Sequence, residues 1–226
     1  MIMDLIEAIK ARHSVRHYLE KSIEPEKIEQ LQQQVAECNA QSGLHIQLIT
    51  DEPRSFGESL LARYGKFSNV KYYFAMIGPK DDKLDETVGY YGEQLVLKAQ
   101  IMGLNTCWVG LSYKKIGSVL DIADGEKLVC VISVGYGATQ GVDHKRKSPD
   151  KVSETDIKTA PQWYKQGVAC ALLAPTAINQ QKFRFTLRNG NKVSVKAGIG
   201  FYSKVDLGIV RCHFELGAGI DNFEWV

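Results

Sequence analysis

The residues best placed to do chemistry lie in one short stretch, Ala11-Arg12-His13-Ser14-Val15-Arg16-His17-Tyr18. Guanidinium forks match phosphate oxygens bidentately, and a serine hydroxyl fills a remaining oxygen site. The same string could instead be a set of solvated surface charges. A second cluster, His144-Lys145-Arg146-Lys147, carries the densest positive charge of the chain. A third stretch, Ala174-Pro175-Thr176-Ala177-Ile178-Asn179-Gln180-Gln181, is framed by apolar residues but rich in amide and hydroxyl groups. Side-chain amides offer both donors and acceptors, which suits the edge of a heteroaromatic ring. Turn-forming Pro and Asn would equally make an ordinary helix-to-strand loop. His13 and His17, four residues apart, would share a helical face, but no third metal ligand accompanies them, so no metal site is expected.

These stretches need elements to position them. Asp4-Leu5-Ile6-Glu7 reads as a capping box opening a short helix, and the Arg12 cluster falls where that helix should end. Glu24-Pro25 opens a second helix with Ile28, Leu31 and Val35 at helical spacing, broken at Asn39 to Gly43. Leu44, Ile46 and Leu48 alternate as a half-buried strand. Ser55-x-x-Glu58 opens a helix through Tyr64, and Tyr72 to Ile77 is a buried strand. A helix from about Thr87 to Met102 places Val88, Gly92, Leu95 and Ala99 on one face, where Gly92 and Ala99 would admit another backbone. Gly103 suits its left-handed cap. Asn105 to Gly110 is a short strand and turn, Ile116 to Leu120 a small helix, and Lys127 to Val134 a central strand. Pro161 to Leu173 is helical, and Asn189-Gly190 joins two strands as a type I′ hairpin. Asp206 caps a last helix, and Asn222 to Val226 ends the chain as a strand.

Composition narrows the function classes. The formal net charge is only +2, which argues against nucleic acid as a bulk electrostatic partner. The Lys145 to Lys147 loop leaves a nucleotide- or RNA-binding module as a minor alternative, one that would bind with steep salt dependence. Five scattered cysteines with no Cys-x-x-Cys fit reduced, buried thiols. Cys107 reads as packing beside Trp108. The first residues lack signal-peptide order and no run would span a bilayer, so a soluble, cytoplasmic protein without a membrane partner is expected.

The chain also echoes itself. Gly92 and Gly103 bracket a helix at the same spacing as Gly208 and Gly219, and each pair leads to a tryptophan, Trp108 and Trp225. Two related halves, 1–150 and 151–226, would then pack as one pseudo-symmetric unit, as two subunits of a homodimer do.

Together the motifs resemble the flavin-dependent nitroreductase family. The resemblance rests on Arg12-His13-Ser14-Val15-Arg16, on Gly103-Leu104-Asn105-Thr106-Cys107-Trp108-Val109-Gly110, on Gly135-Tyr136 with the Lys145-Arg146-Lys147-Ser148-Pro149 loop, and on Ala174 to Phe183. Each motif alone is common, and their combination spans nearly the whole chain. The order departs from the family pattern. Asn39-Ala40-Gln41-Ser42-Gly43 stands where ordinary members carry the Pro-Ser-x-x-Asn loop, and the good match lies in the C-terminal half.

The resemblance implies an α+β fold whose halves each carry a mainly antiparallel or mixed sheet flanked by helices. It implies a single-chain, two-repeat branch with one FMN per chain, in which one chain does the work of the family dimer. Arg12, Ser14, Lys145 and Lys147 would bind the FMN phosphate, with His13 near the flavin and Arg146 turned away. Pro175, Thr176, Ala177, Asn179 and Gln181 would line the ring from the other half, and Trp108, Val109, Gly110 and Leu111 would pass its opposite edge. The implied reaction is a ping-pong cycle: NADH or NADPH reduces FMN, then a small acceptor such as a nitroaromatic, a quinone or a flavin takes the electrons. The cofactor carries that chemistry, so no catalytic triad is expected. The alternative is an FMN-binding protein without reductase turnover.

Overall fold

The computed structural model describes residues 3–56, 66–115 and 117–226. Helix α1 (Leu5–Ala11) starts at the expected capping box: Asp4 accepts from the Glu7 N–H while the Glu7 side chain accepts from that of Asp4. It buries Ala8 and Ile9, and Arg12 leaves it in extended conformation with ψ 121°. The Arg12 cluster is therefore a strand-like segment launched from a helix end.

Helix α2 (Pro25–Ser42) has Pro at its first turn and ends at Gly43, φ +72°. It outruns the expected break at Asn39, because the Asn39 side chain bonds both the N–H (2.8 Å) and the C=O (2.9 Å) of Ile46 and clamps the following turn from within the helix. Leu44 and Ile46 are buried as expected, but strand β1 covers only Gln47–Ile49. The helix expected from Ser55 to Tyr64 falls mostly outside the described residues; Ser55 itself sits in a 3-10 turn, Pro53–Phe56.

Strands β2 (Tyr72–Pro79), β3 (Asn105–Val109) and β4 (Glu126–Gly135) complete a wholly antiparallel sheet of order β1-β2-β4-β3. Helix α3 (Leu84–Ile101) begins one turn before the expected Thr87, with Asp85 and Glu86 favourably placed at its positive end. The small helix expected at 116–120 is a turn over 117–119, Ile116 lying outside the described residues.

The C-terminal part builds its own sheet. Helix α4 (Gln162–Ala171) leads to hairpin β5 (Phe183–Arg188) and β6 (Lys192–Ala197), helix α5 (Ser203–Ala218), and a short β7 (Glu224–Trp225) parallel to β6. The hairpin is not type I′. Arg188 pairs with Lys192, so its loop has three residues, and the positive φ angles fall on Gly190 (+72°) and Asn191 (+57°).

Helices α3 and α5 meet at glycines. A Cβ on Gly89 would lie 2.0 Å from the Val205 oxygen, and one on Gly208 would lie 1.9 Å from the Glu86 oxygen. Only glycine permits that backbone approach. Gly92, expected to admit a backbone, instead makes room for the Trp108 ring, 2.4 Å from such a Cβ. The resulting core joins both sheets: Val88, Leu95, Phe185, Ile209 and Phe214 belong to one buried cluster. The fold is thus α+β, with helices flanking two sheets.

Candidate functional site

The segment 12–18 is fastened by backbone bonds. Ser14 bridges Thr106, the Val15 N–H donates to Thr106 C=O (3.0 Å), the Tyr18 N–H to Ser68 C=O (3.1 Å), and His17 C=O accepts from Ala138 (2.8 Å). Val15 and Tyr18 are buried, and the Tyr18 hydroxyl meets Ser133 Oγ at 2.8 Å. The four-residue spacing of His13 and His17 is therefore not a helical pair. Gly141 covers the segment closely: at φ +75°, a Cβ there would lie 2.7 Å from the Cβ of His13.

A cavity of about 800 Å³ opens along this segment. Its walls carry Arg12, Arg16 and Lys66, together with His13, His17 and His144, and among the described lining residues there is no carboxylate. A second lobe of about 470 Å³ shares Ser14, Arg16, Trp108, Pro175, Thr176 and Ile178 with the first. It continues over Ala177, Phe201, Tyr202, Val205 and Ile209 and is mainly apolar, with Asp206 its one carboxyl among the described residues. The space is thus cationic at one end and apolar at the other.

Arg12 is only 3% exposed, and its Nε has no hydrogen-bond partner among the described residues. It stands 3.9 Å from Glu93, which accepts from Trp108 Nε1 (2.9 Å) and meets His213 Nε2 at 2.8 Å. Burial lowers the Arg12 pKa, and the Glu93 charge opposes that shift. Burial, then the Arg12 charge, also lowers His13 below the ordinary histidine value, so it is mainly neutral at pH 7.

The loop 174–181 is built differently. Ile178, Asn179 and Gln181 have φ of +47°, +55° and +46°. A β-branched residue is strained there, and Ile178 is 91% exposed, so no burial compensates it. Side chains hold the loop in place. Asn179 Nδ2 and Gln181 Nε2 donate to Lys145 C=O (2.9 and 2.8 Å), and the Lys147 N–H donates to Gln181 Oε1 (2.9 Å). Lys147 Nζ donates to the carbonyls of Gln180 and Gln181, both at 2.8 Å. From α5, Asp206 accepts from the Ala177 N–H (2.9 Å) and from Gln180 Nε2 (2.7 Å).

The structure therefore brings Arg12, His13, Ser14, Trp108, Val109, Gly110, Leu111, Pro175, Thr176, Ala177 and Asn179 to the cavity. It does not bring Lys145, Lys147 or Gln181 there among its lining residues. The Lys147 ammonium and the Gln181 amide are spent on holding the loop, and Lys145 contributes its carbonyl. Asn179 lines the space, but its amide is engaged in the same way. Arg146 turns to Asp143, 2.8 Å away. Trp108 sends its indole inward to Glu93, leaving its strand edge to the cavity. At Gly110 a Cβ would lie 2.5 Å from the Tyr202 ring, whose hydroxyl donates to Gly110 C=O (3.1 Å).

Sequence reasoning missed Arg16, His144 and Asp206. The alternation of an extended chain, Arg12-x-Ser14-x-Arg16, could have flagged Arg16. Asp206 was read as a helix cap, but α5 begins at Ser203 and the carboxyl is buried inside its first turn. Its apolar neighbours Val205 and Ile209 were the available signal. His144 belongs to the basic cluster 144–147, from which the lysines rather than the histidine were expected at the site.

A family model described as "Putative TM nitroreductase" matches residues 4–218. The chain belongs to this nitroreductase family. Among solved structures, it resembles "a putative nitroreductase" from Thermotoga maritima MSB8, with TM-score 0.73, 23% identity, and 99% of this chain and 88% of that one covered. A nitroreductase family protein from Streptococcus pneumoniae TIGR4 gives TM-score 0.55 at 15% identity, over 68% of this chain and all of that one (100%). "A putative nitroreductase in complex with FMN" from Desulfovibrio desulfuricans gives 0.53 at 19%, over 67% and 96%. These likenesses are of fold. No curated protein matches the chain. Among the described residues, no helix is long and apolar enough to cross a membrane.

Proposed function

We propose that this nitroreductase-family chain is an FMN-dependent oxidoreductase that takes electrons from NADH or NADPH and passes them to a small acceptor. The observation that carries the reading is the polarity of the cavity, cationic at one end and apolar at the other, as a flavin mononucleotide is anionic at one end and aromatic at the other. Arg12 fits this as a buried cation in the cavity wall: the nearest carboxylate, Glu93, lies 3.9 Å from its Nε, beyond hydrogen-bond distance, and is shared with Trp108 and His213. Arg12, Ser14 and Arg16, with His13 and His144, would hold the phosphate. Trp108 to Leu111 on one side and Pro175 to Asn179 on the other would enclose the ring. When bound, FMN supplies the hydride chemistry; the protein binds, orients and shields it.

The two walls come from the two parts read as halves, 1–150 and 151–226. We take the chain to be a fused, shortened pair of nitroreductase subunits with one complete site. The Gly89–Gly208 approach of α3 and α5 supports this, as does each tryptophan bonding a glutamate of the preceding long helix, Trp108 to Glu93 and Trp225 to Glu215 (2.7 Å). A cytoplasmic monomer is the matching expectation.

The test is the visible spectrum of the purified protein with added FMN, followed by anaerobic NADH or NADPH. A bound-flavin spectrum that bleaches is expected. Flavin that binds but does not bleach would leave a binding protein without turnover, and no binding would overturn the reading.

A further inference from the structure

One buried group in the cavity is not used by that reading. Asp206 is 4% exposed and is the only carboxyl among the described lining residues of either lobe. Its two oxygens divide their work. Oδ1 accepts from the Ala177 N–H, and Oδ2 from Gln180 Nε2, whose amide also donates to Phe201 C=O (2.8 Å). Both bonds enter the strained loop from outside it, on either side of Ile178 and Asn179. An acceptor carrying full charge holds such donors more strongly than a neutral one.

We propose that Asp206 is a positioning residue: its ionised carboxylate latches the loop 174–181 into the left-handed shape that forms one wall of the cavity, and protonation loosens the latch. A proton on Oδ2 would face the Gln180 N–H. To accept it, the Gln180 amide must turn over, and Phe201 C=O then loses its donor. The charge therefore links α5, the loop and residue 201 in one set of bonds.

The surroundings set the range over which this happens. Burial raises the carboxyl from its ordinary value to about 6, and the bonds from Gln180 and Ala177 hold it from rising further; a loop that lets go of those bonds while α5 keeps the carboxyl buried raises it again, so protonation favours release. The other titratable or charged groups of the same lobe are Tyr202 just before α5, Arg16 on the first wall, and Cys107 and Cys130 on the sheet. Burial raises the tyrosine and both thiols, so these stay neutral when Asp206 titrates.

The sign of the stability effect separates a latch from ordinary structure. A carboxyl whose folded pKa lies above its unfolded one stabilises the fold fully only when protonated, and that contribution is lost as the pH rises through about 6. At neutral pH the ionised carboxylate thus costs stability while it holds the loop. A residue kept at such a cost is expected where it shapes a site.

The latch rests on the cavity being the binding site, so its test is first made without flavin. Amide hydrogen exchange at Ala177, corrected for intrinsic rate, is followed in the flavin-free protein from pH 8 to pH 5. Protection in the wild type should fall about fivefold through pH 6, the difference between a charged and a neutral acceptor. Asp206→Asn should show the lower protection throughout, with no step, yet unfold at higher denaturant at pH 7. Gln180→Ala, which keeps the carboxyl but removes one of its donors, should move the step to higher pH. FMN affinity should follow: about fivefold weaker in Asp206→Asn at pH 8 and equal to wild type at pH 5. Comparing the two proteins at each pH cancels every titration the substitution does not touch. A wild-type profile without a step, or Asp206→Asn losing stability at pH 7 along with protection, would overturn the latch. An exchange step without any FMN binding would keep it and sink the flavin reading instead.

Discussion

The two walls of the cavity reach the same place by opposite means. The 12–18 wall is extended backbone whose N–H and C=O groups bond Thr106, Ser68 and Ala138; Arg12, His13, Ser14 and Arg16 line the cavity, while Val15 and Tyr18 turn into the core and His17 Nδ1 meets Ser68 Oγ. The 174–181 wall has three residues at positive φ and is held by the side chains of Asn179, Gln180, Gln181, Lys147 and Asp206. His13, Ser14 and Arg16 of the first wall are thus available to a ligand, whereas most polar residues of the second are already used. A motif rich in amides is a poor guide to ligand contacts when its own backbone is strained, because those amides are the cheapest way to hold it.

Breaking the first wall should cost binding most. Arg12→Ala removes the buried guanidinium, and FMN affinity in a fluorescence titration should drop on the order of a hundredfold, about 3 kcal/mol for a charge-assisted contact. Normal retention would remove Arg12 from the phosphate site. At the seam between the walls, Gly110→Ala drives a methyl into the Tyr202 ring, and denaturant unfolding should show about 1–3 kcal/mol lost. Within the second wall, Asn179→Ala deletes the bonds to Lys145 and Gln181 and puts alanine at φ +55°. A loss of about 1–2 kcal/mol is expected, with a perturbed flavin spectrum. The smallest effect runs the other way. Ile178→Gly relieves a strained, exposed β-branched residue, and the melting temperature should rise slightly, by no more than about 1 kcal/mol of stability. A lower melting temperature would mean that Ile178 is not strained and would weaken the contrast.

Much of the fold was legible because its signals are local. The Asp4–Glu7 box, the Pro25 start, the left-handed Gly103 and the apolar run of β2 each depend on a few neighbouring residues. Boundaries failed where a distant or folded-back bond intervened, as at Asn39, whose side chain clamps Ile46. The site was half legible. The cations of 12–16 and the loop 174–181 were visible by type, and the family resemblance joined them. Lys145, Lys147 and Gln181 have the right chemistry for a ligand, yet the fold turns them on each other.

By itself, then, the sequence determined the α1 and α2 starts, the central strands, the small formal net charge and the family to which the chain belongs. These follow from local backbone preferences, hydrophobic period and motif spacing. Only the tertiary structure decided which polar groups face the cavity and which are spent. Asp206 illustrates why. Read along the chain it is a helix cap; packed against Ala177 and Gln180 it is a buried carboxyl in a binding wall. A group's charge state and free valences depend on what is packed around it, and that is a property of contacts distant in sequence.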